Sequence, residues 1–217
     1  MFHVRKLLVI ILLQHVFLAN LGFSQSTISL ENLGIEDDST EVESEMEACL
    51  LESMAADRSR RDRCISDEFY SETAITMGDI RNSLEFIGTT TVIESDADTS
   101  TALPSIDIEI LFEYNSSNIS SGQFNELVAL SVILQNERYR NYRFVFVGHT
   151  DAKGGSVFNE ALSLERAETV ATFVASIAGF STERVASIGM GYSRLKDPNN
   201  PLGGLNRRVQ LVLVPNG

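Results

Sequence analysis

From about residue 105 the chain switches between the two periods that mark strands and helices. Residues 106–112, "IDIEILF", alternate apolar and polar and then run apolar, as a strand does. After the loop "NSSNISS", residues 122–139 place Phe124, Leu127, Val128 and Leu134 on one helical face. "YRFVFVG" predicts a second strand. From Ser156 to Ala178, the positions Ala167, Val170, Ala171, Val174, Ile177 and Ala178 follow helical spacing, and Gly179 suits a left-handed cap at the end. "ERVASIGMG" predicts a third strand, "YSRLKDPNNPLGGLN" a loop rich in Pro, Gly and Asn, and "RRVQLVLV" a last strand. The order β-α-β-α-β-loop-β over roughly 110 residues fits one α/β domain.

Upstream the pattern weakens. Residues 25–44 are polar and acidic with little periodicity and read as a disordered linker. Met46, Cys49, Leu50 and Met54 lie near helical spacing, and "DIRNSLEFIG" predicts another short helix. "TTTVIESDADTSTALPS" again reads as linker. The division expected is therefore 1–24, 25–105 and 106–217. The middle part is too short and too charged to bury a substantial core alone.

Charge follows the same division. Residues 25–105 carry 19 acids and 5 bases, whereas residues 106–217 carry 11 acids and 10 bases. With no basic surface in prospect, nucleic acid is not an expected partner. Residues 1–24 have the layout of a signal peptide: a basic "MFHVRK", an apolar "LLVIILL", and small residues at Gly22 and Ser24. Cleavage after Ser24 is expected, and the rival reading is a retained anchor. Export makes a disulfide between Cys49 and Cys64 chemically allowed, two free thiols being the alternative.

The candidate chemistry lies around "VGHTDAKGGSVFNEALSLERA". Asp151 follows a strand end, where loops carry function. Asn159, Ser163 and Arg166 are spaced i, i+4 and i+7 on the next helix, on a face other than its apolar one. Side chains on a helix lean toward its N-terminus, so Arg166 leans back toward the loop that holds Asp151. An acid and an arginine facing one space suit a zwitterion, since the guanidinium fork matches a carboxylate. Spacing alone leaves this clamp balanced against a plain Asp151–Arg166 salt bridge with no ligand. Catalysis has less support. Beyond the leader His149 is the single histidine, no G-x-S-x-G elbow occurs, and neither cysteine has an evident histidine partner. A site built from several histidines is excluded, so no metal is expected. His149 and Thr150 read as braces of the loop. The "GMGYSR" glycines read as a strand-to-loop bend, and the glycosylation patterns at Asn115 and Asn118 are given no role.

Three pieces in this order, "ILFEYNSSNI", "VFVGHTDAKGGSVFNEALSLERAETV" and "ERVASIGMGYSRLKDPNNPLGGLNRRVQLVL", resemble the peptidoglycan-binding domain of the OmpA-like family. That family includes Pal-type lipoproteins and the periplasmic part of MotB-type stator proteins. The resemblance covers residues 106–214, about half the chain. It implies a βαβαββ α/β (α+β sandwich) fold, with a mixed sheet on one side and helices on the other, here preceded by an acidic, partly helical segment. It implies non-catalytic binding of the diaminopimelate head group of the cell-wall stem peptide, in the periplasm, wall- or outer-membrane-associated, with no cofactor. Carried over by motif position, Asp151 would hold the ammonium and Arg166 the carboxylate. Asn159 would support the ligand and the loop, Thr150 is counted in the same ligand-binding set, and Asn115 and Arg207 would line the pocket, with Arg208 the weaker candidate. Gln210 stands where the family often has an acid. The alternative is a periplasmic assembly protein in which the acidic segment binds an unknown protein partner and the α/β domain is a scaffold.

Overall fold

The computed structural model describes residues 39–55, 73–86, 97–108 and 116–216, with Phe69, Ser95, Ile110 and Phe112 between them. The expected signal peptide, Cys64 and Asn115 lie outside the described residues. Eight main elements follow in order: α1 (Ser39–Ser53), α2 (Met77–Phe86), β1 (Ser105–Ile108), α3 (Phe124–Leu134), β2 (Tyr142–Gly148), α4 (Ser156–Ala178), β3 (Val185–Gly189) and β4 (Val209–Pro215). The strands form one mixed sheet in the order β1-β4-β2-β3. β4 is antiparallel to both β1 and β2, and β2 is parallel to β3. From β1 onward this is the expected βαβαββ order, with α4 as the crossover that a parallel pair requires.

Helices α3 and α4 lie on one face of the sheet, as expected of the domain, and the segment upstream of it adds cover on the other. Both faces of the sheet are covered. Phe144 and Phe146 of β2 and Leu211 and Leu213 of β4 pack with α1, α3 and α4 in one core cluster. The residues between them, Val145, Val147, Val212 and Val214, pack on the other face with Ile75, Met77, Ile80, Leu84 and Leu103. The cause is written in β2 and β4. A strand wetted on one face alternates apolar and polar, whereas "FVFV" and "LVLV" are apolar at every position and need cover on both sides. Helix α2 supplies it. Thr76 and Asp79 bond reciprocally at its start: the Asp79 carboxylate accepts from the Thr76 N–H at 3.0 Å, and the Thr76 hydroxyl accepts from the Asp79 N–H at 3.1 Å. That is a capping box with Asp in place of Glu.

Helix α1 changes the picture of the acidic segment. It begins at Ser39, inside the stretch expected to be linker, and buries Met46, Cys49 and Leu50 in the core formed by the sheet, α3 and α4. Cys49 is disulfide-bonded. Residues 36–217 form one compact unit, so position 105 marks no break in the core. Each fully buried side chain of this size contributes roughly 1.5–3 kcal/mol relative to exposure. The apolar stripe of α1 joins the core while Glu47 pairs with Arg138 at 3.4 Å, which explains how a charged segment is part of the fold. Among the described residues no helix is long and apolar enough to cross a membrane.

Candidate ligand-binding site

The site is built where α4 meets the ends of β2 and β3. Gly148 and Gly189 are register partners on those strands. A Cβ on Gly148 would lie 1.9 Å from the Ser163 carbonyl oxygen, and one on Gly189 would lie 2.5 Å from the Glu160 carbonyl oxygen. Both glycines therefore admit the backbone of α4 to contact distance. Ser163, fully buried, donates to the Glu160 carbonyl at 2.8 Å and accepts from the Gly191 N–H at 2.9 Å. The polar stripe Asn159–Ser163–Arg166 is thus not a solvated face. All three side chains are buried.

The loop before α4 is fixed by its own polar groups. One Asp151 carboxylate oxygen accepts the Lys153 N–H at 3.0 Å. The Asn159 amide donates to the carbonyls of Lys153 at 3.0 Å and Gly155 at 3.2 Å, which holds the turn against the helix start. The Thr150 N–H donates to the Gly191 carbonyl and the Ala152 N–H to the Pro201 carbonyl, both at 2.8 Å. On the opposite side, the buried Asn206 amide ties down the long β3–β4 loop through the carbonyls of Asp197 and Asn200. Arg207 follows directly and reaches back across the gap.

A cavity of about 550 Å³ lies between these parts. Thr150, Asp151, Asn159, Arg166 and Arg207 all line it, so of the described residues that the sequence nominated for it only the weaker candidate, Arg208, is left out. Asn115 is outside the described residues, though its neighbours Phe112 and Ser116 contact Arg166. The Arg166 Nε donates to the Ser116 carbonyl at 3.2 Å, and its guanidinium carbon stands 4.8 Å from the centroid of the Phe112 ring. Sequence reasoning missed Phe112, Phe158, Leu162 and Leu202, which form the apolar wall. Phe158 and Leu202 stay half-exposed or more, and an aromatic on the polar side of a helix start was the available signal.

The charges are not arranged as an Asp151–Arg166 salt bridge. The Asp151 carboxylate pairs with Arg207, Nη1 to Oδ2 at 3.0 Å. Arg166 is 3% exposed and makes no ion pair among the described residues. Burial pulls its pKa down, the like charge of Arg207 adds to this, and Asp151 opposes it. It remains a cation, because arginine does not deprotonate in proteins. The Thr150 hydroxyl, also buried, has no hydrogen-bond partner among the described residues.

Two neighbours prove to be scaffold. Arg208 is fully buried on the other face of the sheet and pairs with Asp107 at 3.2 Å, which Lys196 also approaches at 3.3 Å. His149 is buried, with Nε2 3.3 Å from the Gln210 side-chain oxygen, and burial followed by the Arg208 charge holds its pKa well below the ordinary imidazole value. Gln210 in turn donates to the Thr73 carbonyl and the Ser105 hydroxyl. Among the described residues no cluster of His, Cys, Asp or Glu could hold a metal ion.

Residues 111–208 match the model of the OmpA family. This stretch is an OmpA-family domain. Outer membrane porin F of Pseudomonas aeruginosa is 26% identical to the chain over 107 residues, 48% of this chain and 30% of the relative. A probable lipoprotein, YiaD, of Escherichia coli is 28% identical over 108 residues, 49% of this chain and 48% of the relative. The chain thus spans less than half the length of these curated relatives. Among solved structures, the peptidoglycan-associated lipoprotein from Burkholderia pseudomallei is 22% identical with a TM-score of 0.42, covering 48% of this chain and 87% of that one. The periplasmic domain of Helicobacter pylori MotB is 15% identical with a TM-score of 0.45, covering 52% and 76%. The matched stretch begins after α1, α2 and β1, all of which pack into the cores on the two faces of the sheet.

Proposed function

We propose that the OmpA-family domain binds cell-wall peptidoglycan without catalysis, by gripping the amino-acid head group of diaminopimelate in the stem peptide. Arg166 is the observation that carries this reading. A guanidinium buried in a cavity wall and ion-paired to no carboxylate among the described residues is costly unless an anion completes it. Asp151 lines the same cavity and supplies the acceptor for an ammonium group. Asn159 and Thr150 hold the loop, and Asn115 is assigned to the same rim. The chain would be exported through residues 1–24, keep a Cys49–Cys64 disulfide, and anchor to the wall from the periplasm, with no cofactor and no turnover.

The burial of Met46, Cys49 and Leu50 in the domain core supports this reading over a free acidic arm that recruits a protein partner. Co-sedimentation with purified diaminopimelate-type sacculi tests it. The wild type is expected to pellet with the sacculi and an Asp151→Ala/Arg166→Ala double variant to stay in solution. Equal pelleting of the two proteins removes the proposed mechanism, and release of soluble muropeptides removes the non-catalytic assignment.

A further inference from the structure

The two edges of the sheet are finished differently. β1 is the edge on one side and β3 on the other. At β1 the chain covers its own edge. The Asp107 N–H donates to the Phe69 carbonyl at 3.2 Å, and the buried charge of the same residue discourages pairing by another strand. β3 has no such device, since "VASIG" holds no proline, lysine or inward charge. The Phe144 N–H donates to the Arg184 carbonyl at 2.9 Å and the Met190 N–H to the Gly148 carbonyl at 3.0 Å, so in this parallel register the even-numbered residues of β3 serve β2. The N–H and C=O groups of Val185, Ser187 and Gly189 point the other way. Gly189 is buried, whereas Val185 and Ser187 are half-buried and their outward groups have no partner among the described residues.

These groups form the floor of a groove of about 360 Å³ that shares no residue with the cavity described above. One wall is α4, with Leu164, Glu168, Ala171 and Thr172, and the other is Leu84 of α2. The layering of the sheet between α4 and α2 thus continues past its last strand, which is the space a further strand fills. Such a strand has one face on α4 and one on Leu84, because successive side chains alternate. The lining carries one charged residue, Glu168, whose exposed carboxylate makes no ion pair among the described residues. A second copy of the chain does not suit the groove. Pairing β3 with β3 sets two such acids against each other, in a chain of net charge −13. A basic side chain on the incoming strand does suit it, with the aliphatic stem along Leu164 and Ala171.

We propose that β3 accepts an extended, basic segment of a partner protein as a fifth strand of the sheet. The backbone of that segment pairs with Val185 and Ser187. Its apolar positions lie toward Leu84, and a lysine or arginine between them reaches Glu168. Main-chain hydrogen bonds supply the affinity and the single charge supplies selectivity. No residue of the Asp151–Arg207 cavity takes part, so an occupant of that cavity leaves the edge open to the partner.

The probe is a capped heptapeptide of alternating valine and threonine with lysine in place of the central threonine, and its control carries glutamate there. Both are titrated into the isotope-labelled full chain and followed by the backbone amide signals. The lysine peptide is expected to shift the signals of Val185 to Ser187 and of the facing α4 residues, and to slow solvent exchange of the Val185 and Ser187 amides. It is expected to bind about fivefold more tightly than the glutamate peptide, with Glu168→Lys reversing the order. Ser187→Pro removes an outward donor without touching the ladder to β2, and is expected to weaken binding at least about tenfold while keeping the wild-type behaviour with sacculi. Undiminished binding by a Ser187→Pro protein that keeps its circular dichroism overturns the edge pairing. Equal affinity for the two peptides overturns the role of Glu168. Three results overturn the whole proposal: no binding, signal changes confined to the Asp151–Arg207 cavity, or a peptide-free dimer whose Val185 and Ser187 amides already exchange slowly.

Discussion

Gly148 and Gly189 face each other across β2 and β3, and the backbone of α4 rests on both. The contact is backbone on backbone, so no side-chain rotation can relieve it. Gly148→Ala would place a methyl group inside the Ser163 carbonyl. We expect a loss of about 3 kcal/mol or more, because overpacking against rigid backbone cannot relax. Gly122→Ala, where a Cβ meets nothing within 4 Å, serves as the control and should unfold like the wild type. Chemical denaturation of the three proteins decides the matter, and a neutral Gly148→Ala would contradict the packing.

Arg166→Lys tests whether the guanidinium fork, rather than charge alone, grips the ligand. Lysine keeps the cation but loses the paired donors, the bond to the Ser116 carbonyl and the planar stacking on Phe112. Binding to sacculi should fall at least about tenfold, and truncation of a desolvated charge partner reaches about 2–5 kcal/mol. The fold should survive, since no intramolecular ion pair of Arg166 is broken among the described residues. Retention of full binding by Arg166→Lys would reduce the residue to a nonspecific positive charge.

Acid should weaken the fold through His149. Burial and the Arg208 charge depress its folded pKa, so the native state holds the neutral ring while the unfolded chain takes up a proton near the ordinary value. The stabilisation is therefore complete above about pH 6.5 and is withdrawn as pH falls, with a slope of up to about 1.4 kcal/mol per unit. Between pH 7 and pH 5 this amounts to up to about 2 kcal/mol. A His149→Gln variant, with no imidazole to titrate, should show a shallower decline over that interval. Parallel urea curves at both pH values measure it, and identical slopes for the two proteins would refute it.

Asp107 anchors the buried Arg208 and the partly exposed Lys196 from the edge strand β1. Removing it by Asp107→Ala leaves both without their shared carboxylate and should cost about 3–5 kcal/mol. The double variant Asp107→Leu/Arg208→Leu should cost clearly less than the single one, because removing both partners leaves fewer stranded charges. A double-mutant cycle by urea denaturation reads the coupling, and additive losses would show that the pair does not act as a unit.

The same region shows what could and could not be seen in the chain. The strands and α4 were legible because their apolar spacing is regular and Gly179, at φ 70, caps the helix as a glycine should. Asp151, Asn159, Arg166 and Arg207 were legible as pocket residues because short motifs hold them at fixed offsets from strand and helix ends. Their pairing was not. Asp151 meets Arg207, 56 positions away, only because the β3–β4 loop folds back, and no local period encodes that. Helix α1 was misjudged as linker at its start because its acids outweigh a narrow apolar stripe whose partners lie on β1 and α3. The cover on the second face was readable in principle, since unbroken apolar runs in β2 and β4 demand it.

Tension entering the domain from its N-terminal side meets α1 before it meets the sheet. Helix α1 is held by side-chain packing on α3 and β1, whereas β1 is locked to β4 by a ladder of hydrogen bonds that resists sliding. Under load the helix should peel away first, lengthening the chain while the sheet stays whole. The cavity is assembled from the ends of β2, β4 and α4 and takes no wall from α1. A molecule built this way has a yielding element in series with its cavity, one that can lengthen while the cavity's walls stay in place.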